Sequence, residues 1–317
     1  MLASIPLPSI QSARSRIAGA AIRTPLVRLN IDEASAEIYL KLENLQPIGS
    51  FKIRGAANAI GLATPEQLAQ GVWTASAGNM AQGVAWMARR LGLACTCVVP
   101  DHAPEAKLAA ITRLGAGFIK VPFADWWTVI VTHKFAGLDG LFVHPVSDPN
   151  VMAGNGTIGL EILEDLPDVE TIIVPYGGGG LSCGIASAVK AIKPEIKVLA
   201  CEVETAAPLA PSLAAGSPQT IEYLASFVDG IGSSSLLPDM WPLVSSLLDG
   251  SIVVSLQQVA DALKLLVERN HVVAEGAGAA SVAASLSGRV LGKVVAVVSG
   301  GNIDSAKVIK ILQGEIP

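Results

Sequence analysis

The 317-residue chain reads as an α/β protein built on parallel sheets covered by helices. Three observations carry this. Short β-rich runs alternate with longer Ala/Leu-rich stretches, several runs lead directly into glycine turns, and 51% of the residues are apolar, ample for sizeable cores. Residues 38–42, 95–99, 171–174, 197–201 and 294–298 read as strands, with 72–75 strand-like. Between them, residues 80–91, 103–114 and 181–192 have helical length and composition. Such a fold binds its ligand at the carboxyl ends of the strands. No internal repeat, low-complexity tail or obvious linker divides the chain.

Composition excludes several functions. A net charge of −5, with Lys and Arg scattered, gives no footprint for nucleic acid. Mean hydropathy is high, at +0.51. Yet the charge-free stretch at residues 171–189 contains Pro175 and four consecutive glycines, and reads as a buried strand and loop rather than a membrane span. The start lacks a basic segment followed by an apolar run, so no export signal is expected and cytoplasm is the default. The four cysteines form no Cys-x-x-Cys pair and the four histidines no cluster, which predicts buried thiols and no zinc site.

Four segments carry the chemistry. Lys52 lies in Gly49-Ser50-Phe51-Lys52-Ile53-Arg54-Gly55, where a helix opens at about Phe51. Alone, such a lysine is an ordinary solvated helix residue. Gly177, Gly178, Gly179 and Gly180 follow a strand and precede a helix starting near Leu181, so consecutive backbone NH groups can converge on an anion. A plain turn is the alternative, and no Gly-Lys-Ser/Thr ending supports a nucleoside triphosphate. Ser76-Ala77-Gly78-Asn79 sits at another helix start and suits a carboxylate, or merely caps the helix. Ser299-Gly300-Gly301-Asn302 ends the last strand, where a simple turn would look the same.

Together these segments resemble the fold type II family of pyridoxal 5'-phosphate (PLP) enzymes. Threonine and serine dehydratases of that family carry Ser-Phe-Lys-x-Arg-Gly-Ala, Ser-Ala-Gly-Asn and a tetraglycine loop in this order. The likeness runs from Thr24-Pro25-Leu26 to Asn302. It implies a tryptophan synthase β-like architecture of two open twisted parallel-type sheets with flanking helices. A large PLP-binding domain would take residues 1–64 and 149–317, with a small substrate-loop domain at 65–148. Lys52 would be the catalytic Schiff-base lysine, and Phe51, Asn79, residues 177–180, Leu181, Glu275 and Ser299 would contact the cofactor. Ser76, Ala77, Gly78, Asn79, Met80 and Gln82 would face the substrate. Glu275 also reads as a helix-start acid.

The reaction implied is β-elimination from a β-hydroxy-α-amino acid such as threonine, serine or phenylserine, giving a 2-oxo acid and ammonia in amino-acid catabolism. The expected partners are this small substrate and further copies of the chain, as dimer or tetramer, with no nucleic acid or membrane. No appended regulatory domain is expected beyond Pro317.

Departures from the family pattern sharpen this. Serine racemases have a second serine where Ala77 stands, which favours elimination over racemisation. The β-replacement branch has Thr-Ser-Gly-Asn and Gly-Thr-Gly-Gly-Thr, neither found here. Intact motifs argue against a PLP-binding protein without turnover. Met80 replaces a histidine usual in threonine dehydratases and is adaptable enough to admit a larger β-substituent, or is simply a core residue. Trp126 and Trp127 read as helix packing rather than as a pocket wall. A family cation site maps to Glu202, the Ala206 carbonyl and Pro208. Proline has no carboxylate, so a Mg site is disfavoured, and a monovalent ion on Glu202 and carbonyl oxygens stays the alternative.

Overall fold

The computed structural model describes residues 2–317. The chain opens with α1 (Leu7–Arg16), β1 (Leu26–Arg28), β2 (Ala36–Leu42), α2 (Lys52–Leu62) and the single turn α3 (Pro65–Leu68). It continues through β3 (Val72–Ala75), α4 (Asn79–Leu91), β4 (Cys95–Pro100), α5 (Glu105–Arg113), β5 (Gly117–Val121), α6 (Phe123–Thr132) and β6 (Leu141–Phe142). Then come α7 (Pro149–Asp165), β7 (Thr171–Pro175), α8 (Gly180–Ile192), β8 (Lys197–Val203), α9 (Leu209–Ala215) and α10 (Trp241–Leu247). β9 (Gly250–Val254), α11 (Leu256–Leu265), α12 (Gly276–Ser285), β10 (Gly292–Val298) and α13 (Ser305–Leu312) complete it.

The strands form two sheets. One has the order β1-β2-β10-β7-β8-β9 and is parallel except for the antiparallel β1–β2 pair. The other, β5-β4-β3-β6, is parallel throughout and is built wholly from chain lying between β2 and β7. Every residue of β7 is buried, as is the Val-Val-Ala-Val-Val run of β10, because helices cover both faces of these central strands. The same burial made them legible as unbroken apolar runs. β5 is an edge strand with four of its five residues exposed, and it carried no such signal.

Helix α7 is the spacer that fixes the site. It starts at an N-cap, Asp148, whose carboxylate accepts from the NH groups of Asn150 and Val151. Glycines let two neighbours touch its backbone: a Cβ on Gly154 would lie 2.3 Å from the Arg54 carbonyl of α2, and one on Gly184 of α8 would lie 2.5 Å from the Met152 carbonyl. α2 begins at Lys52 and α8 at Gly180, so packing against α7 sets the distance between lysine and glycine loop.

A buried ionic cluster locks α2 in this position. Arg54 pairs with Glu43 at 2.8 Å and with Glu161 of α7 at 2.7 Å, while Lys41 of β2 meets Glu161 at 2.6 Å. Two cations face two buried carboxylates, with the partly exposed Asp165 at the edge, 4.0 Å from Lys41. Burial acts to raise the Glu43 carboxyl, but the charge and hydrogen bonds of Arg54, with Thr24 and Lys41, prevail and hold it below its ordinary value.

Candidate active site

Lys52 is placed by a loop stitched to the end of β10. The Phe51 NH donates to the Ser299 carbonyl at 3.0 Å and the Gly301 NH to the Gly49 carbonyl at 2.9 Å, around a bridge between Ser50 and Gly300. The Lys52 ammonium donates to the Pro145 carbonyl at 2.7 Å and lies 5.1 Å from the centre of the Phe51 ring. Burial lowers this amine to about 8, against a smaller upward pull from Glu275. A lysine so shifted is neutral in a useful fraction near pH 8, as a nucleophile or base must be.

The glycine loop joins β7 to α8 and lies beneath residues 145–147. A Cβ on Gly178 would come within 2.7 Å of the Val146 side chain, and one on Gly180 within 2.7 Å of the Val146 carbonyl. Gly179 has φ +97°, which a side chain would strain. The result is a cradle of backbone NH groups at the N-terminus of a 13-residue helix, a ready anion site.

Residues 76–79 join β3 to α4. The Gly78 NH donates to Ser76 Oγ at 3.2 Å. Asn79 Nδ2 donates to both Glu275 carboxylate oxygens, at 2.9 and 3.2 Å, and Asn79 Oδ1 accepts from Asn302 at 2.8 Å. Burial raises the Glu275 carboxyl to about 7 although the Asn79 hydrogen bond opposes it; Asp229 adds to the rise, and Lys107 and Lys52 reduce it.

These three loops converge. A cavity of about 470 Å³ is lined by Phe51, Lys52, Ser76, Ala77, Gly78, Asn79, Met80, Gln82, Gly177, Gly178, Gly179, Gly180, Leu181, Glu275 and Ser299. Met80 is both a cavity residue and 1% exposed in the core beneath it. Trp126 and Trp127 also line the cavity, which corrects the reading of them as helix packing alone. On α6 they continue a face that runs from exposed Phe123 inward to buried Ile130, and Trp126 Nε1 has no hydrogen-bond partner. Two adjacent tryptophans were visible in the sequence, but which face of α6 meets the cavity depends on the tertiary packing. Also missed were Pro145, Val146, Lys107 and Asp229, none of which stands in a motif.

Glu202 and Ala206 lie elsewhere. The Glu202 carboxylate is buried and accepts from the NH groups of Leu209 and Ala210, at 2.8 and 2.9 Å, and from Ser251 at 2.7 Å. It therefore serves the start of α9, and among the described residues no three metal-binding side chains come together. All four cysteines are buried and unpaired. Among the described residues no helix is long and apolar enough to cross a membrane.

A lysine amine, a glycine cradle at a helix N-terminus and a second helix start facing one cavity define a cofactor-dependent amine chemistry. The family profile for pyridoxal-phosphate dependent enzymes matches residues 17–300, and the chain belongs to that family. An L-threonine ammonia-lyase of Thermotoga maritima is 42% identical, with 97% of this chain and 78% of the relative covered. L-threonine dehydratase catabolic TdcB of Escherichia coli is 39% identical over 97% of this chain and 96% of the relative. Maize serine racemase superposes with a TM-score of 0.85 at 33% identity, covering 98% of both chains.

The residues present fit PLP. Residues 178 and 180 pack against Val146 where a Cβ would clash, so glycine is required at both, and Lys52, Asn79 and Ser299 share the cavity with this loop.

Proposed function

We propose that this enzyme converts a β-hydroxy-α-amino acid to a 2-oxo acid and ammonia, with threonine, serine and bulkier analogues such as phenylserine as substrates. The reaction class is that of relatives at about 40% identity over nearly the whole chain, an ammonia-lyase working by PLP-dependent β-elimination. The convergence of Lys52, the glycine cradle and the start of α4 on one cavity carries the reading.

When bound, the cofactor supplies an electron sink for the substrate α-carbon. Lys52 Nζ would hold the cofactor's aldehyde, and residues 177–180 would hold its phosphate on backbone NH groups. The free Lys52 amine, which burial lowers to about 8 and so leaves partly neutral near pH 8, would take the substrate α-proton. The same nitrogen then returns a proton to the departing β-hydroxyl. The water lost is regained on hydrolysis, so the net products are the 2-oxo acid and ammonia. Ser76 and the first NH groups of α4 orient the substrate carboxylate. Ser299 would offer the cofactor's ring nitrogen a neutral hydroxyl rather than a carboxylate, which favours prompt loss of the β-group. Ala77 brings no hydroxyl to the opposite face, which favours elimination over racemisation.

Met80, Trp126, Trp127 and Ile130 line the same cavity, and as an apolar wall beside the substrate they would suit a β-substituent larger than a methyl group. The test is 2-oxo acid release from PLP-loaded protein with L-threonine, L-serine and both phenylserine diastereomers. Oxo acid from none of them would sink the reaction. Threonine winning kcat/KM over phenylserine by a wide margin would sink the apolar-wall reading alone.

A further inference from the structure

We propose that His144, outside every cofactor and substrate motif, is a positioning residue whose neutral imidazole sets the strap at residues 145–147 and through it both Lys52 and the glycine loop. His144 lies between β6 and α7 and is 2% exposed. Its Nδ1 accepts from the Val146 NH at 3.0 Å and the Ser147 NH at 2.7 Å, with Ser147 Oγ at 3.2 Å. A ring nitrogen that accepts two NH groups carries no proton, so Nε2 holds it and donates to the Ile130 carbonyl of α6 at 3.1 Å. The His133 ring, 4.5 Å away between centroids, and the edge-on Phe142 ring at 5.7 Å hold the imidazole in place. Burial, then His133 and Lys52, push its pKa down to about 3 despite the Ile130 contact, so it stays neutral wherever the enzyme works.

The strap delivers this order to two places. The Pro145 carbonyl is the acceptor for Lys52 Nζ at 2.7 Å, and its direction is fixed by the peptide whose NH His144 binds. Val146 packs so closely on Gly178 and Gly180 that a Cβ on either would approach it to 2.7 Å. One imidazole thus holds the carbonyl that receives the free lysine amine and the lid of the phosphate cradle. The Nε2 bond adds the α6 wall to the same frame.

The inference rests on Lys52 being the cofactor's lysine, and Lys52→Ala tests that separately: retained cofactor absorbance and turnover would sink the reading whatever His144 does. For His144 itself, His144→Leu fills the space without an acceptor. In His144→Asn the amide oxygen can accept from the NH groups two and three residues on, as in an Asx turn. Two readouts are needed: the Kd of the apo protein for PLP, from tryptophan fluorescence, and kcat and KM for L-threonine at saturating cofactor. His144→Leu should weaken PLP binding and lower kcat, each by roughly tenfold or more. KM should change little, because residues 76–79 are held by other elements. His144→Asn should recover most of both losses. A His144→Leu enzyme equal to the unaltered one, or an Asn variant no better than Leu, would overturn the proposal. Should the Leu variant not fold, Asn decides alone: near-normal Kd and kcat support it, a tenfold loss in both overturns it.

Discussion

At the scale of single residues, the site is held in a costly state. Glu275 is raised to about 7 and Lys52 lowered to about 8, and burial is the first cause of both. Linkage turns these shifts into pH dependence. A raised carboxyl contributes its stability below its ordinary value of 4.5 and loses it as pH climbs through about 7. A lowered amine contributes fully above 10.5 and loses stability as pH falls through about 8. Between about 7 and 8 both groups therefore weaken the apo fold. Glu275→Gln should stabilise the apo protein at pH 8 by about 2–3 kcal/mol and do much less at pH 5. Urea melts at the two pH values measure this; an equal effect at both would show that Glu275 is not ionising in this range.

At the scale of elements, the α2–α7–α8 contact and the loop before α8 decide the geometry. The glycines of that loop are not equivalent. A Cβ on Gly177 would meet nothing closer than 3.6 Å, whereas on Gly180 it would strike the Val146 carbonyl at 2.7 Å. Gly180→Ala should cost the apo protein about 1–3 kcal/mol, and Gly177→Ala should melt near the unaltered protein. Thermal melts without cofactor separate this packing effect from any effect on phosphate binding. If the two variants melted together, the strap would not rest on the loop as described.

At the scale of the molecule, three of the four motif segments, residues 76–79, 177–180 and 299–302, leave the carboxyl ends of β3, β7 and β10, which brings chain from both sheets to one cavity. Across its mouth Lys107 of α5 pairs with Asp229 at 3.2 Å, and Lys307 of α13 approaches the same carboxylate at 3.6 Å. These side chains are about one-third to two-fifths exposed, so solvent and salt screen them and the pair is weak enough to part. Asp229→Asn should raise KM for the amino acid by no more than about fivefold at low salt. The difference should vanish near ~1 M salt, where screening removes the pair. A KM gap that persisted at high salt would assign Asp229 to substrate contact instead.

By itself the sequence determined the alternation of strand and helix, the central buried strands and the three loops at the heart of the cavity. These are legible because each depends on local chain properties: unbroken apolar runs in β7 and β10, and Gly, Ser and Asn where backbone NH groups must be exposed. The edge strand β5, the two-residue β6 and the three-residue β1 were too short or too exposed to stand out. Tertiary structure alone decided which face of α6 turns Trp126 and Trp127 to the cavity and that Pro145 receives Lys52. It alone decided that a histidine between β6 and α7 holds the strap over the glycine loop and that Glu202 caps α9. These roles arise from contacts between segments distant in sequence, and the side chains that make them follow no spacing a sequence can display.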